Sequence, residues 1–293
     1  MNNIKPAPEP GAACRPHRST SVAALSAGLA LLLAVCTGDA AAITAERGRE
    51  AVGRVHRSIA DNDCQEAIKR LNAGLGDAYP EVQLLAGAMY DNGICVKRNW
   101  ERASHFYLLA MDGGQKEAVY RLAAGYAAPE NGPDIGAALW WASRAGNPVW
   151  QKACEVSEAA RDDPDRFVAE LQAWPQSRLQ ACNYVTGVMM TVAGEMRYPS
   201  KAYGFVMDGV VQLVFHPAIP SIDVKQIAAE ERNVYGAVNG DQLRDRRSST
   251  VTKGFEEVGR EITARALKRY PQPPGIDPAS ESKLQINFGI EYY

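Results

Sequence analysis

"RYPSKAYGFVMDGVVQLVF", residues 197–215, is where the chain changes its period. Upstream, apolar residues recur at helical spacings of three and four. From Gly209 to Phe215 the run reads as a strand, with Val211, Leu213 and Phe215 on one face. Met207-Asp208-Gly209 reads as a turn leading into it, and Pro217 and Pro220 end it. "IDVKQIAA" (222–229) follows, with Ile222 and Val224 alternating against Asp223 and Lys225. The polar stretch 239–254, "NGDQLRDRRSSTVTKG", reads as a loop. "FEEVGREITARALKRY" (255–270) repeats Phe255, Val258, Ile262 and Ala266 at helical spacing, and "PQPPG" stops it. The last run alternates most regularly: Leu284, Ile286, Phe288, Ile290 and Tyr292 face one way. The order is strand, strand, helix, strand. Such a helix covers the apolar face of a small sheet, and so few strands leave edges able to accept an extended peptide.

Working back from residue 197, the chain repeats itself. Residues 81–114 and 117–146 align: Glu81 and Glu117 lie 36 apart, as do Tyr90 and Tyr126, while Ala103 and Ala138 lie 35 apart. Ala67 precedes Ala103 by 36, which extends a weaker copy upstream to Cys64. Each unit reads as two short helices joined by a Gly- or Pro-bearing loop. Neither helix buries its apolar stripe alone, so neighbouring units must stack. The aromatic stripe, Phe106, Tyr107 and Trp141 included, reads as packed core. Residues 149–194 remain helical in pattern and read as a cap on the last unit. Within them, Asp165 is expected to cap the helix that carries Phe167, Leu171 and Trp174.

These two patterns carry two resemblances. Val82, Gln83, Gly87 and Tyr90, then Gly93 and Val96, then Asn99 (Asp134 in the next copy), Ala103, Phe106, Tyr107 and Ala110 resemble the Sel-one-like repeat, a relative of the tetratricopeptide repeat. That resemblance implies a scaffold or adaptor working through a concave face. Tyr198-Pro199, Ala202, Asp208-Gly209, Val211, Leu213 and Phe215, with "ALKRYPQPP" (266–274) and "LQINFGI" (284–290), resemble the TonB C-terminal domain. That second resemblance implies a periplasmic domain gripping an extended segment of outer-membrane transporters by strand addition. It nominates Leu284, Ile286, Asn287, Phe288 and Ile290 on the edge strand, with Tyr198 and Pro199 leading in. Energy-transducing members of that family carry a membrane anchor with a key His and a Pro-rich spacer. Here no His lies in residues 21–36, and helical repeats stand in place of the spacer. The expected fold is therefore α+β: helical repeats with a helical cap over 43–194, then a TonB-like domain over 195–293.

The first 42 residues read as an export signal. Lys5, Arg15 and Arg18 precede the apolar run "SVAALSAGLALLLAVC" (21–36), and small residues lead to a cleavage position after Ala42. An uncleaved anchor is the second reading, and lipidation at "LAVC" the third; only those two attach the protein to a membrane. The compartment expected is the periplasm. Cleavage removes Cys14 and Cys36, leaving Cys64, Cys95, Cys154 and Cys182, an even set in an oxidising compartment. Four cysteines allow three pairings; neighbours, Cys64 with Cys95 and Cys154 with Cys182, are the expected ones, and four free thiols the alternative.

A formal net charge of −2 argues against a nucleic-acid footprint. The Arg244, Arg246 and Arg247 cluster is diluted by Asp241 and Asp245. His56, His105 and His216 are scattered, no nucleophile has a readable base beside it, and no Gly-rich phosphate loop follows a strand. Asp162, Asp163 and Asp165 fit a helix N-terminus better than a metal. No cofactor, no metal and no catalysis are expected. The sequence thus points to a non-enzymatic adaptor of the cell envelope whose partners are envelope proteins, an outer-membrane transporter segment among them. The alternative is a repeat-based scaffold or regulator with a purely structural terminal domain.

Overall fold

The computed structural model describes residues 25–145, 152–199, 202, 207–231 and 254–289. The arginine cluster, the polar stretch up to residue 253, Ile290 and Tyr292 lie outside these residues. The chain divides into two units, Met1–Ile43 and Thr44–Tyr293. The expected cleavage position after Ala42 falls beside that division, within helix α1 (Leu25–Ala60). Among the described residues, no helix is long and apolar enough to cross a membrane.

The second unit is α+β. After α1 come α2 (Cys64–Gly76), α3 (Pro80–Asn92), α4 (Trp100–Asp112), α5 (Glu117–Ala127) and α6 (Ile135–Ala142). Side chains of Asp63, Asn99 and Asp134 accept the backbone N–H of the residue three further on. Each such cap is worth about 1 kcal/mol, which explains why Asn and Asp stand at equivalent places before α4 and α6. Gly93 ends α3 with φ 69°, a left-handed conformation that costs glycine nothing. The stripes pack as expected: Ala103, Tyr107 and Ala110 of α4 are buried with Ala118 and Leu122 of α5. Gly125 is a glycine because the Trp100 ring fills the place of its side chain.

Then follow α7 (Glu158–Arg161), α8 (Pro164–Gln172) and α9 (Gln176–Glu195). The cap of α8 is Asp163, not Asp165. Its carboxylate accepts from the Asp165 and Arg166 N–H groups, and Pro164 takes the first helical position, where its missing donor is harmless. Disulfides join Cys64 to Cys95 and Cys154 to Cys182, the expected neighbour pairing. They fit an oxidising compartment. The first ties the start of α2 to the α3–α4 loop, and the second ties the segment before α7 to α9.

The sheet is antiparallel, with β1 (Met207–His216) between β2 (Ser221–Glu231) and β3 (Ser282–Phe288); α10 (Gly254–Arg269) lies between β2 and β3 in sequence. Met207-Asp208-Gly209 is not a turn. These residues pair with Glu231, Glu230 and Ala229 inside the ladder. The glycine serves packing instead: a β-carbon at 209 would meet the Phe255 ring at 2.7 Å. The alternation of β1 is as expected, with Val211, Leu213 and Phe215 fully buried.

One core joins helices and sheet. Ala123, Ala124 and Ala138, the α9 side chains from Tyr184 to Val192 that are apolar, Val211, Leu213, Phe215, Phe255, Ile262, Tyr270 and Leu284 belong to a single buried cluster. Helix α9 is its wall, touching α5 and α6 as well as α10 and β3. From Tyr184 to Val192 every residue of the helix is buried, as befits a segment packed between two layers. The Tyr184 ring meets Phe215 edge-on at 5.5 Å. Gly187 lets the Tyr270 ring lie against the helix backbone.

Candidate functional site

The strand nominated by the sequence, β3, is terminal in the sheet. It pairs with β1 in unbroken register from Ser282↔Phe215 to Phe288↔Gly209, and no strand among the described residues adds to its other side. Leu284 and Phe288 are buried, Ile286 is half-buried, and Lys283, Gln285 and Asn287 point outward. Gln285 Nε2 donates to Asn287 Oδ1 at 3.3 Å, and Lys283 pairs with Glu281 at 2.8 Å. Ile290 lies outside the described residues.

Tyr198 is brought to β3, but as support. Its ring meets Phe255 edge-on at 5.7 Å and Phe288 at 6.4 Å, and Phe255 lies 5.0 Å from Phe288. Its hydroxyl donates toward the main-chain carbonyls of Met207 and Ala202. Pro199 is buried, beside Gly254 at the start of α10. The pair therefore holds the segment before β1 against the outer end of β3.

The opposite edge differs. In β2 the register slips between Val210 and Val211, so Ile227 is an extra residue, 46% exposed and without a partner position on β1. The backbone N–H of Gln226 is taken by the Glu256 carboxylate at 2.9 Å. The charged Asp223 and Lys225 precede the bulge on the same strand. A bulge and edge charges are the usual devices against further strand pairing. β3 carries no bulge against β1.

Sequence reasoning missed the polar seam between the helical part and α10. Arg269 donates from Nη2 to Asp91 Oδ1 and from Nε to Glu130 Oε1, both at 2.9 Å. Arg98 reaches Glu130 at 2.6 Å and lies 3.9 Å from Asp91. The Asp91 side chain is only 2% exposed. A second chain of ion pairs runs Glu117, Arg121, Glu195, Arg265, Glu261, Arg197. Tyr270 closes the seam by donating to the Ala124 carbonyl at 2.8 Å and meeting Thr191 Oγ1 at 3.0 Å. Burial works against charge on Arg269, but Tyr270, Asp91 and Glu130 outweigh it and its pKa is raised. Burial likewise pushes the Glu130 carboxyl up, yet the Arg98 hydrogen bond, a backbone donor and the Arg269 charge hold it below the ordinary carboxylate value. The available signal was Asp91 itself, a carboxylate on the turn of α3 that otherwise buries Ala86, Gly87 and Met89.

His105 is exposed on α4, and His216 faces Asp223 across the β1–β2 hairpin at 3.2 Å. Among the described residues, no group of three or more His, Cys, Asp or Glu side chains is placed to hold a metal ion. No family model, no curated protein and no solved structure matches the chain.

Proposed function

We propose that the protein is an exported adaptor of the cell envelope. Its helical pairs, read as Sel-one-like repeats, hold one partner. Its sheet, read as a TonB-like domain, receives an extended segment of an envelope protein as a fourth strand along β3. One observation carries this reading: of the two sheet edges, β2 is blunted by a bulge and a side-chain cap, whereas β3 runs in regular register. Main-chain hydrogen bonds would supply affinity, and outward side chains such as Asn287 would contact the incoming strand's neighbours. The disulfides and the apolar run before residue 43 agree with export to the periplasm.

The test uses the geometry of an antiparallel ladder. Adjacent residues point their N–H groups to opposite sides, so of Ile286 and Asn287 one donates to β1 and the other to the free edge. Proline is introduced at each in separate full-length chains, with a photo-crosslinking residue at Lys283. The variant whose circular dichroism stays native has lost the edge donor. It is expected to lose the cross-link to an envelope peptide that the unmodified chain forms. A cross-link that persists undiminished in that folded variant refutes strand addition.

A second reading has its own support. The sheet and α10 share the core of α5, α6 and α9, which is what a structural cap does. The same experiment separates the two, because a cap forms no cross-link at β3 in either chain.

A further inference from the structure

Beside the ion pairs of the seam is a pocket of about 420 Å³, lined by Asn92, Thr191, Glu195, Arg265, Lys268 and Arg269. Three helices meet there: the last residue of α3, the last turns of α9 and the last turns of α10. Three cations face one carboxylate. That carboxylate, Glu195, is already shared by Arg121 and Arg265. Arg265 commits Nη1 to Glu261 and Nη2 to Glu195, which leaves its Nε–H without a partner among the described residues. Arg269 commits Nε and Nη2 and keeps Nη1. Lys268 is exposed and makes no ion pair or hydrogen bond among the described residues.

Basic residues in the last turn of a helix are favourable on their own. That explains Lys268 and Arg269 as a pair. It does not explain their convergence with Arg265 on an open groove that two other helices also line. The carboxylates behind the two arginines fix the forks, so the entropy of ordering them is spent in folding and not in binding. The volume lies within the range of small-molecule sites, roughly 300–1,000 Å³, and exceeds the need of a bare inorganic ion.

We propose that the seam pocket binds a small organic acid through its carboxylate groups. Lys268 supplies the uncommitted charge, and Arg265 and Arg269 supply the remaining N–H donors. Such a ligand bridges α10 to the end of α3, and so braces the same seam as the internal ion pairs. The inference does not depend on strand capture at β3.

The test is calorimetric titration of the full chain with citrate, acetate and inorganic phosphate at constant ionic strength. Citrate is expected to bind saturably and acetate more weakly. Lys268→Gln, an exposed substitution that leaves the urea midpoint in place, is expected to weaken citrate at least tenfold. Lys225→Gln on β2 is the control and is expected to change nothing. Absence of saturable heat with all three anions overturns the site. Unchanged citrate affinity in Lys268→Gln overturns the role given to Lys268, and phosphate binding as tightly as citrate overturns the carboxylate class.

Discussion

Replacing Arg269 with Met strips the seam of its central cation while keeping the aliphatic bulk of the side chain. Asp91 is left 2% exposed, and its remaining cation, Arg98, stands 3.9 Å away. Breaking a buried pair from one side costs about 3–5 kcal/mol. The distant Arg98 places this case near the lower end, roughly 3 kcal/mol. With a urea slope of about 3 kcal/mol per M for a body of this size, the midpoint falls by about 1 M. Two probes read the two halves. All five tryptophans precede β1, so fluorescence follows the helical part. Amide exchange at Val211 and Leu213 follows the sheet. Because α9 is a common wall, both transitions are expected to shift together. Adding Asp91→Asn to Arg269→Met removes the stranded charge and is expected to restore at least half of the loss. Coupling through α9 is refuted if the β1 amides keep their midpoint while fluorescence moves, and the stranded charge on Asp91 is refuted if the double variant is no better than the single.

Other outcomes follow from the same geometry. Gly125→Ala places a β-carbon 2.0 Å from the Trp100 ring, and Gly187→Ala places one 2.4 Å from Tyr270. Each is expected to cost about 1–3 kcal/mol in chemical unfolding. Gly53→Ala, with nothing nearer than 3.8 Å, is expected to gain about 0.5–1 kcal/mol by helix propensity. Removing the Cys64–Cys95 bridge, which spans 31 residues, is expected to cost about 3–4 kcal/mol by loop-closure entropy, read as the stability difference between the native and Cys64→Ala/Cys95→Ala chains. Glu130 has a lowered folded pKa, so its contribution is present above the ordinary carboxylate value and is lost as pH falls through the folded one. Glu130→Gln is therefore expected to lower the melting temperature at pH 7 and to narrow the drop between pH 7 and pH 3; an unchanged drop contradicts that assignment.

Much of the local structure was legible because it is written in nearest neighbours. The alternation of Val211, Leu213 and Phe215 marked β1, and the helical recurrence of Phe255, Ile262 and Ala266 marked α10. The even cysteine set pointed to the bridges that the structure contains. Misreadings arose where one residue type serves two purposes. Gly209 suggested a turn because glycine is common there; it is required by an aromatic ring from another element. Asp165 suggested a cap because it follows Pro164 at the head of an apolar helix, yet Pro164 is itself the first helical residue and the cap is Asp163. The β2 bulge at Ile227 was invisible because it depends on register against β1 and on Glu256 from α10. The seam was hidden for the same reason. Arg269 and Asp91 are 178 positions apart, and no local pattern links them.

The common wall also sets the order in which this chain can finish folding. Tyr270 reaches back 146 positions to the Ala124 carbonyl, and β1 is not complete on its β3 side until Ser282–Phe288 has arrived. Contacts of such sequence separation form late and slowly. Until α10 and the sheet have docked, α9 therefore stands with Tyr184, Gly187 and Thr191, the positions that meet Phe215 and Tyr270, uncovered. Until β3 has paired, the chain carries an open apolar face at the centre of its own core, where non-native contacts can trap it.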